Sequence, residues 1–220
     1  MKYCPKCGNT GVLITGEPCD CQLHIEDIYD GVECLDIPES YRGLKFDPVL
    51  LPSVMGMPYM NHMATVYEQI VSLRWKCKNM VICSPNQTGK SVLAYCAIQE
   101  LFRKEITVFP LFDILEIKRI MTDIEYNKPQ SLGVENPMRL YTAPYVFAVL
   151  PPVTNYDTYD TTAMLVARRT RRGNSTILLY DGSWNQLIYN DSKGSLKGIA
   201  GDGSLTTVAV SSWNSKEVAN

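Results

Sequence analysis

The chain has 220 residues, 45% of them apolar and 20% charged, and a formal net charge of −2, enough for one full domain with a small appended module and typical of a soluble globular protein. The near-neutral balance excludes a protein dominated by nucleic-acid electrostatics, so any contact with DNA should be local. The longest apolar runs, such as YVFAVL, are far too short to cross a bilayer, and no charged-then-apolar leader opens the chain, so the expected location is the cytoplasm with no membrane partner.

The chain opens on MKYCPKCGNTGVLITGEPCDCQ, and five of its eight cysteines (Cys4, Cys7, Cys19, Cys21, Cys34) fall within the first 34 residues. Clustered cysteines in an intracellular chain point to metal before disulfides. Cys-x-x-Cys and Cys-x-Cys, separated by a segment of turn and strand character, supply four thiolates for a tetrahedral zinc ion, Zn2+. Pro5 and Gly8 suit the tight turn of such a knuckle, and His24 and Cys34 are nearby substitute ligands. Four protein donors leave no open position, so the role expected of Cys4, Cys7, Cys19 and Cys21 is structural. The plainer alternative is a set of reduced cysteines without metal. Residues 1–35 are therefore read as a zinc-binding module.

Residues 36–62 are rich in proline and glycine without a sustained period, and read as a linker that packs along the surface. From residue 63 to the end, the pattern is that of a nucleotide-binding domain. Met63, Val66, Tyr67, Ile70 and Val71 recur at helical spacing and predict an amphipathic helix ending near Trp75. A strand is expected over Met80 to Cys83, followed by a polar loop and a helix from Ser91 to about Lys104. That helix is apolar on nearly every side up to Ile98, so it should be buried against a sheet. Thr107 to Pro110 reads as a second strand. In FDILEIKRIMTDI, Ile114, Ile117, Met121 and Ile124 share one face. YVFAVL, STILLYD and LTTVAVS are the remaining strands, with MLVARRTRR forming a helix end between the first two. Strands alternating with helices predict an α/β domain with a largely parallel sheet flanked by helices.

The stretch VICSPNQTGKSVLAY, residues 81–95, has the order of parts of a phosphate-binding loop. In such a loop, backbone N–H groups and a helix N-terminus face the anion, a lysine reaches the outer phosphates and a hydroxyl ligates magnesium. Ser84, Asn86, Gln87, Thr88, Gly89, Lys90 and Ser91 are the candidate binding residues for ATP or ADP, with Ser91 also on Mg2+. Ser84 stands where the pattern has glycine. If that position needs positive φ, a serine there costs about 1–2 kcal/mol, which weakens but does not abolish a site whose micromolar affinity is worth about 8 kcal/mol. The alternative is a vestigial loop that keeps the fold and holds nothing.

CPKCGNTG with CDC, then IPESYRGLKFD, then the Gly-Lys-Ser loop, and then LVARRTRRGNSTILLYD occur in the order found in the DnaC-type replicative helicase loaders. The chain resembles these bacterial and phage AAA+ proteins from about residue 3 to residue 188. The resemblance implies an N-terminal module that engages a hexameric, DnaB-type replicative helicase, and a P-loop AAA+ core that binds ATP and single-stranded DNA. Lys118 and Arg119 fall where such loaders carry a DNA-contacting helix, and are candidate phosphate contacts. A solvated face of a core helix is the alternative.

The pattern breaks in two places. YVFAVL runs into Leu150-Pro151-Pro152 where the acidic pair that holds magnesium should stand, and Asp157 and Asp160 lie too far along to replace it. At the end of STILLYD, where a polar sensor asparagine is usual, Asp181 is the candidate sensor. No arginine follows Arg172, so no arginine finger is evident, and an ammonium cannot reproduce the guanidinium fork. An arginine finger alone is worth about 10³–10⁵ in rate. Binding is therefore expected and turnover is not. The basic run Arg168, Arg169, Arg171 and Arg172 is a candidate contact for DNA or a neighbouring subunit of an oligomer, or else caps a helix C-terminus. Two other functions fit the residues: a non-catalytic regulator that blocks a replication ATPase, and a transposition helper ATPase resembling IstB, against which the N-terminal module speaks.

Overall fold

The computed structural model describes residues 37–46, 61–74, 78–85, 88–126, 137–151 and 156–209. The expected zinc ligands Cys4, Cys7, Cys19 and Cys21 lie outside these residues, as do Asn86 and Gln87. The elements in order are α1 (Asn61–Val71), β1 (Asn79–Ser84), α2 (Lys90–Arg103), β2 (Val108–Asp113), α3 (Ile114–Glu125), α4 (Arg139–Thr142), β3 (Tyr145–Leu150), α5 (Tyr156–Thr170), β4 (Ser175–Asp181), α6 (Trp184–Asn190), α7 (Ser195–Gly201) and β5 (Leu205–Ala209). The strands form one five-stranded sheet in the order β2-β3-β4-β1-β5, and every pairing is parallel.

Helices cover both faces, which is why the strands read as continuous apolar runs instead of alternating ones. Met80 and Ile82 of β1 face one core, with Met63, Val66 and Ile70 of α1 and Leu93, Ala97 and Leu101 of α2. Val81 and Cys83 face the other, with Ile114 and Ile117 of α3, Leu165 and Val166 of α5, Leu187 of α6 and Leu196 of α7. The expected parallel α/β domain is thus the observed one. The sheet order is the part that periodicity cannot supply, because β4 pairs on one side with β3, the strand before it, and on the other with β1, the first strand of the sheet in the chain.

Local chemistry explains the boundaries. Pro110 is tolerated in β2 because that strand is a sheet edge and shifts register between Phe109 and Phe112. Asp113 ends β2 and caps α3: its Oδ1 accepts from Leu115 N at 2.7 Å, while Asp113 N donates to Glu116 Oε2 at 3.0 Å. The second strand therefore runs three residues beyond the expected Pro110. Ser183 and Gln186 make the corresponding capping box on α6.

The segment read as a surface linker is fastened to α2 over its described part. Ile37 is buried at 1% exposure. Gln99, buried inside α2, donates from Nε2 to Tyr41 O at 2.9 Å and accepts from Gly43 N at 2.7 Å. Tyr41 packs on Tyr95, and Phe46 stacks on Tyr67. Residues 37–46 thereby bridge α1 and α2, the helix that follows the Gly89-Lys90 turn.

Candidate nucleotide site

Parallel β1 and β4 place their carboxyl ends side by side, with Ser84 in register with Asp181. Crevices at such strand ends are where open α/β sheets bind ligands. Gly182 N donates to Ser84 O at 2.9 Å, which extends the ladder by one bond and holds Asp181 beside the loop. Gly182 has φ +149°, and a Cβ there would lie 2.8 Å from Tyr180 Cε1 and 2.9 Å from Gln186 Oε1, so this position requires glycine.

On the other side of the loop, Gly89 adopts φ 91° as the N-cap of α2, a left-handed conformation that favours glycine. Lys90 and Ser91 then open a helix of 14 residues. Ser91 is exposed at the first turn, where a hydroxyl could join a magnesium shell. Thr88 is half-buried above β1.

Ser84 does not incur the expected penalty. Among the described residues the non-glycine positions with positive φ are Leu73 and Glu105, so Ser84 keeps ordinary backbone as the last residue of β1. Its side chain is 1% exposed and does a job glycine cannot. Thr88 Oγ1 donates to Pro85 O at 2.9 Å, which leaves Ser84 Oγ to donate to Thr88 Oγ1 at 2.5 Å. Ser84 Oγ in turn accepts from Lys90 Nζ at 2.9 Å.

Lys90 is the centre of the arrangement. Its side chain is 7% exposed, and Nζ lies 2.6 Å from Asp181 Oδ1, 3.0 Å from Ser84 O, 2.8 Å from Pro85 O and 3.4 Å from Thr88 Oγ1. With Ser84 Oγ, that makes five oxygens around three N–H bonds. The lysine is folded back over its own loop, fully supplied with acceptors. Asp181, proposed from sequence as a sensor, is in direct contact with the loop lysine.

The end of β3 holds no carboxylate. Leu150 is fully buried and Pro151 follows it. Asp157 and Asp160 both lie on α5 and are engaged elsewhere: Asp157 with Lys118 at 3.3 Å, Asp160 with Lys193 at 2.9 Å and Ser195 Oγ at 2.5 Å. Ser195 and then Lys193 hold the Asp160 carboxyl below its usual range. Among the described strand ends, Asp181 is the carboxylate that reaches the loop lysine.

The DNA candidates separate sharply. Lys118 is tied to Asp157, while Arg119 is exposed on α3. Arg168 pairs with Glu125 at 2.5 Å, donates to Tyr141 Oη at 2.9 Å and, with Arg172, lies 5.6 Å from the Tyr141 ring centre. Arg171 and Arg172 are exposed beyond the end of α5. Arg169 does not belong with them: it is fully buried, donating to Leu140 O at 2.5 Å, Ala143 O at 2.8 Å, Ser175 O at 2.6 Å and Thr176 Oγ1 at 3.2 Å. Burial pulls its pKa down to about 9, which leaves the guanidinium charged at neutral pH. It is a structural clamp between the end of α4 and β4, not a member of the exposed basic patch that the sequence predicts. The run alternates faces at helical spacing, so position 169 turns inward, a signal that the i, i+3, i+4 pattern of Leu165 and Val166 already contained.

No family model matches the sequence, and no curated protein matches it. Solved structures do match in fold. The DnaC helicase loader superposes with a TM-score of 0.53 at 15% identity, covering 78% of this chain and 99% of that one. DnaI superposes at 0.50 and 13% identity, covering 83% of this chain and 92% of that one. No helix among the described residues is long and apolar enough to cross a membrane. With its parallel sheet in the order β2-β3-β4-β1-β5 and a Gly-Lys-Ser loop leaving β1, this chain is similar in fold to the DnaC helicase loader and to DnaI.

Proposed function

We propose that this chain loads a hexameric, DnaB-type replicative helicase onto single-stranded DNA, and that ATP or ADP at the Gly89-Lys90-Ser91 loop serves as a conformational ligand, not as fuel. The observation that carries the reading is a DnaC-like fold whose β3 ends in Leu150-Pro151, with no carboxylate there to hold magnesium or polarise water. Within this reading, the N-terminal cysteines Cys4, Cys7, Cys19 and Cys21 hold Zn2+ in the module that meets the helicase. Arg119, Arg171 and Arg172 then supply the exposed positive charge toward DNA, and self-assembly brings several copies to one helicase ring.

The same missing carboxylate favours a second reading, a regulator that binds the helicase and blocks it. Co-purification with a replicative helicase, with mass analysis of the complex for zinc and nucleotide, tests the partnership common to both. Helicase unwinding on single-stranded DNA coated with binding protein then separates them: a loader raises it and a blocker lowers it. Phosphate release at saturating helicase and DNA should stay near background, and robust release that disappears in Lys90→Ala would sink the non-hydrolytic reading.

A further inference from the structure

The Lys90 ammonium has three N–H bonds and five oxygens within reach, one of them the Asp181 carboxylate at 2.6 Å. Two of those oxygens, Pro85 O and Thr88 Oγ1, belong to the loop, and two belong to Ser84 at the end of β1. Asp181 is different, because it comes from β4 and is held by the parallel ladder with β1 and by the Gly182 N to Ser84 O bond. It is also the one negatively charged member of the set, in a place where a loop lysine meets an anion. A phosphate entering the loop has to take the lysine from this carboxylate and then sit beside it. Like charges at such range repel, and turning the partly exposed Asp181 carboxylate toward solvent gives up its contact with Lys90.

We infer that Asp181 is a built-in competitor for the phosphate, an anionic latch on Lys90 that sets how tightly the loop holds a nucleotide. The inference rests on the proposed nucleotide binding and adds to it a residue that opposes that binding. Ser84 belongs to the latch: glycine at that position would remove one of the five acceptors and the relay to Thr88. The degenerate positions of the loop and of the β4 end therefore act together, one supplying the hydroxyl and the other the charge. The ligand class selected is a polyphosphate able to outcompete a carboxylate, so a nucleoside triphosphate or diphosphate should bind far better than a monophosphate.

The test is a fluorescence titration of the full chain with the magnesium complex of a methylanthraniloyl-ADP, comparing wild type, Asp181→Asn, Asp181→Ser and Lys90→Ala, with thermal melts confirming that each folds. The asparagine variant should bind about tenfold more tightly than wild type, a change of about 1.4 kcal/mol, and the serine variant should shift the same way. Binding by Asp181→Asn where wild type shows none also supports the latch. Equal or weaker binding by both Asp181 variants, with wild type binding measurably, overturns the latch alone and assigns the carboxylate to the bound complex, on magnesium. Binding by neither wild type nor any variant overturns both the latch and the nucleotide reading on which it rests.

Discussion

Replacing Arg169 by alanine should destabilise the fold severely and leave any DNA binding per folded molecule unchanged. The guanidinium holds Leu140 O, Ala143 O and Ser175 O together with Thr176 Oγ1, all in the interior. Removing it strips three buried carbonyls of a partner, at about 1–3 kcal/mol each. Against that stands the relief of a buried charge, several kcal/mol before its hydrogen bonds are counted, and water entering the space left behind. The net expectation is a loss of about 3–5 kcal/mol, since breaking a satisfied buried charge network is costly even where building one gains little. For a domain of this size, that lowers Tm by roughly 6–20 °C. Arg168→Ala is the matched control, since its pair with Glu125 is partly exposed on both sides and such pairs are worth about 0–1 kcal/mol. Urea unfolding followed by circular dichroism measures both, and a filter-binding series against salt measures DNA affinity of the folded fraction. An Arg169→Ala protein that melts within about 2 °C of wild type, or one whose DNA salt slope drops by about one unit, would refute the clamp.

Gly182→Ala forces a Cβ to within 2.8 Å of the Tyr180 ring at φ +149°, so it should cost about 1–3 kcal/mol and lower Tm by roughly 2–12 °C; a melt equal to wild type would contradict the close approach. Substituting Arg119, Arg171 and Arg172 by glutamine should flatten the salt dependence of single-stranded DNA binding, by about 0.7 in slope for each phosphate no longer neutralised, with stability unchanged within about 0.5 kcal/mol; an unaltered slope would remove them from the DNA surface. Burial pushes the Cys83 and Cys96 thiols up to about 12, so in the folded state they keep protons that the unfolded chain releases above about pH 8.5. Their contribution is complete below that pH and is lost as pH rises toward 12, at about 1.4 kcal/mol per thiol per pH unit within the window. Urea midpoints should therefore fall steadily above about pH 9, and a Cys96→Ala variant should fall less steeply; a flat profile to about pH 10.5 would show that the thiols titrate freely.

Much of this chain is written in its local pattern. YVFAVL and STILLYD coincide with β3 and β4 because residues buried on both faces must be apolar without interruption. The turn between β1 and α2 is legible as well, because a glycine just before a run of apolar helical positions marks the start of a helix, and Gly89 is the N-cap of α2. The missing carboxylate after β3 was equally plain, because no rearrangement turns Leu150-Pro151 into an acid. The helices α6 and α7 escaped detection, being seven residues each and too short for a periodic signal.

Local sequence determined the five strands, the longer helices, their parallel α/β class and the Gly89-Lys90-Ser91 turn between β1 and α2, because those depend on spacing within about 15 residues. Tertiary structure alone decided that β4 lies against β1, which brings Asp181 onto Lys90 across 91 positions of chain. It also decided that Ser84 keeps ordinary backbone and that Arg169 points inward while its neighbours face outward. Strand order and side-chain burial follow from how faces pack against one another, a property of the assembled sheet that no single segment carries.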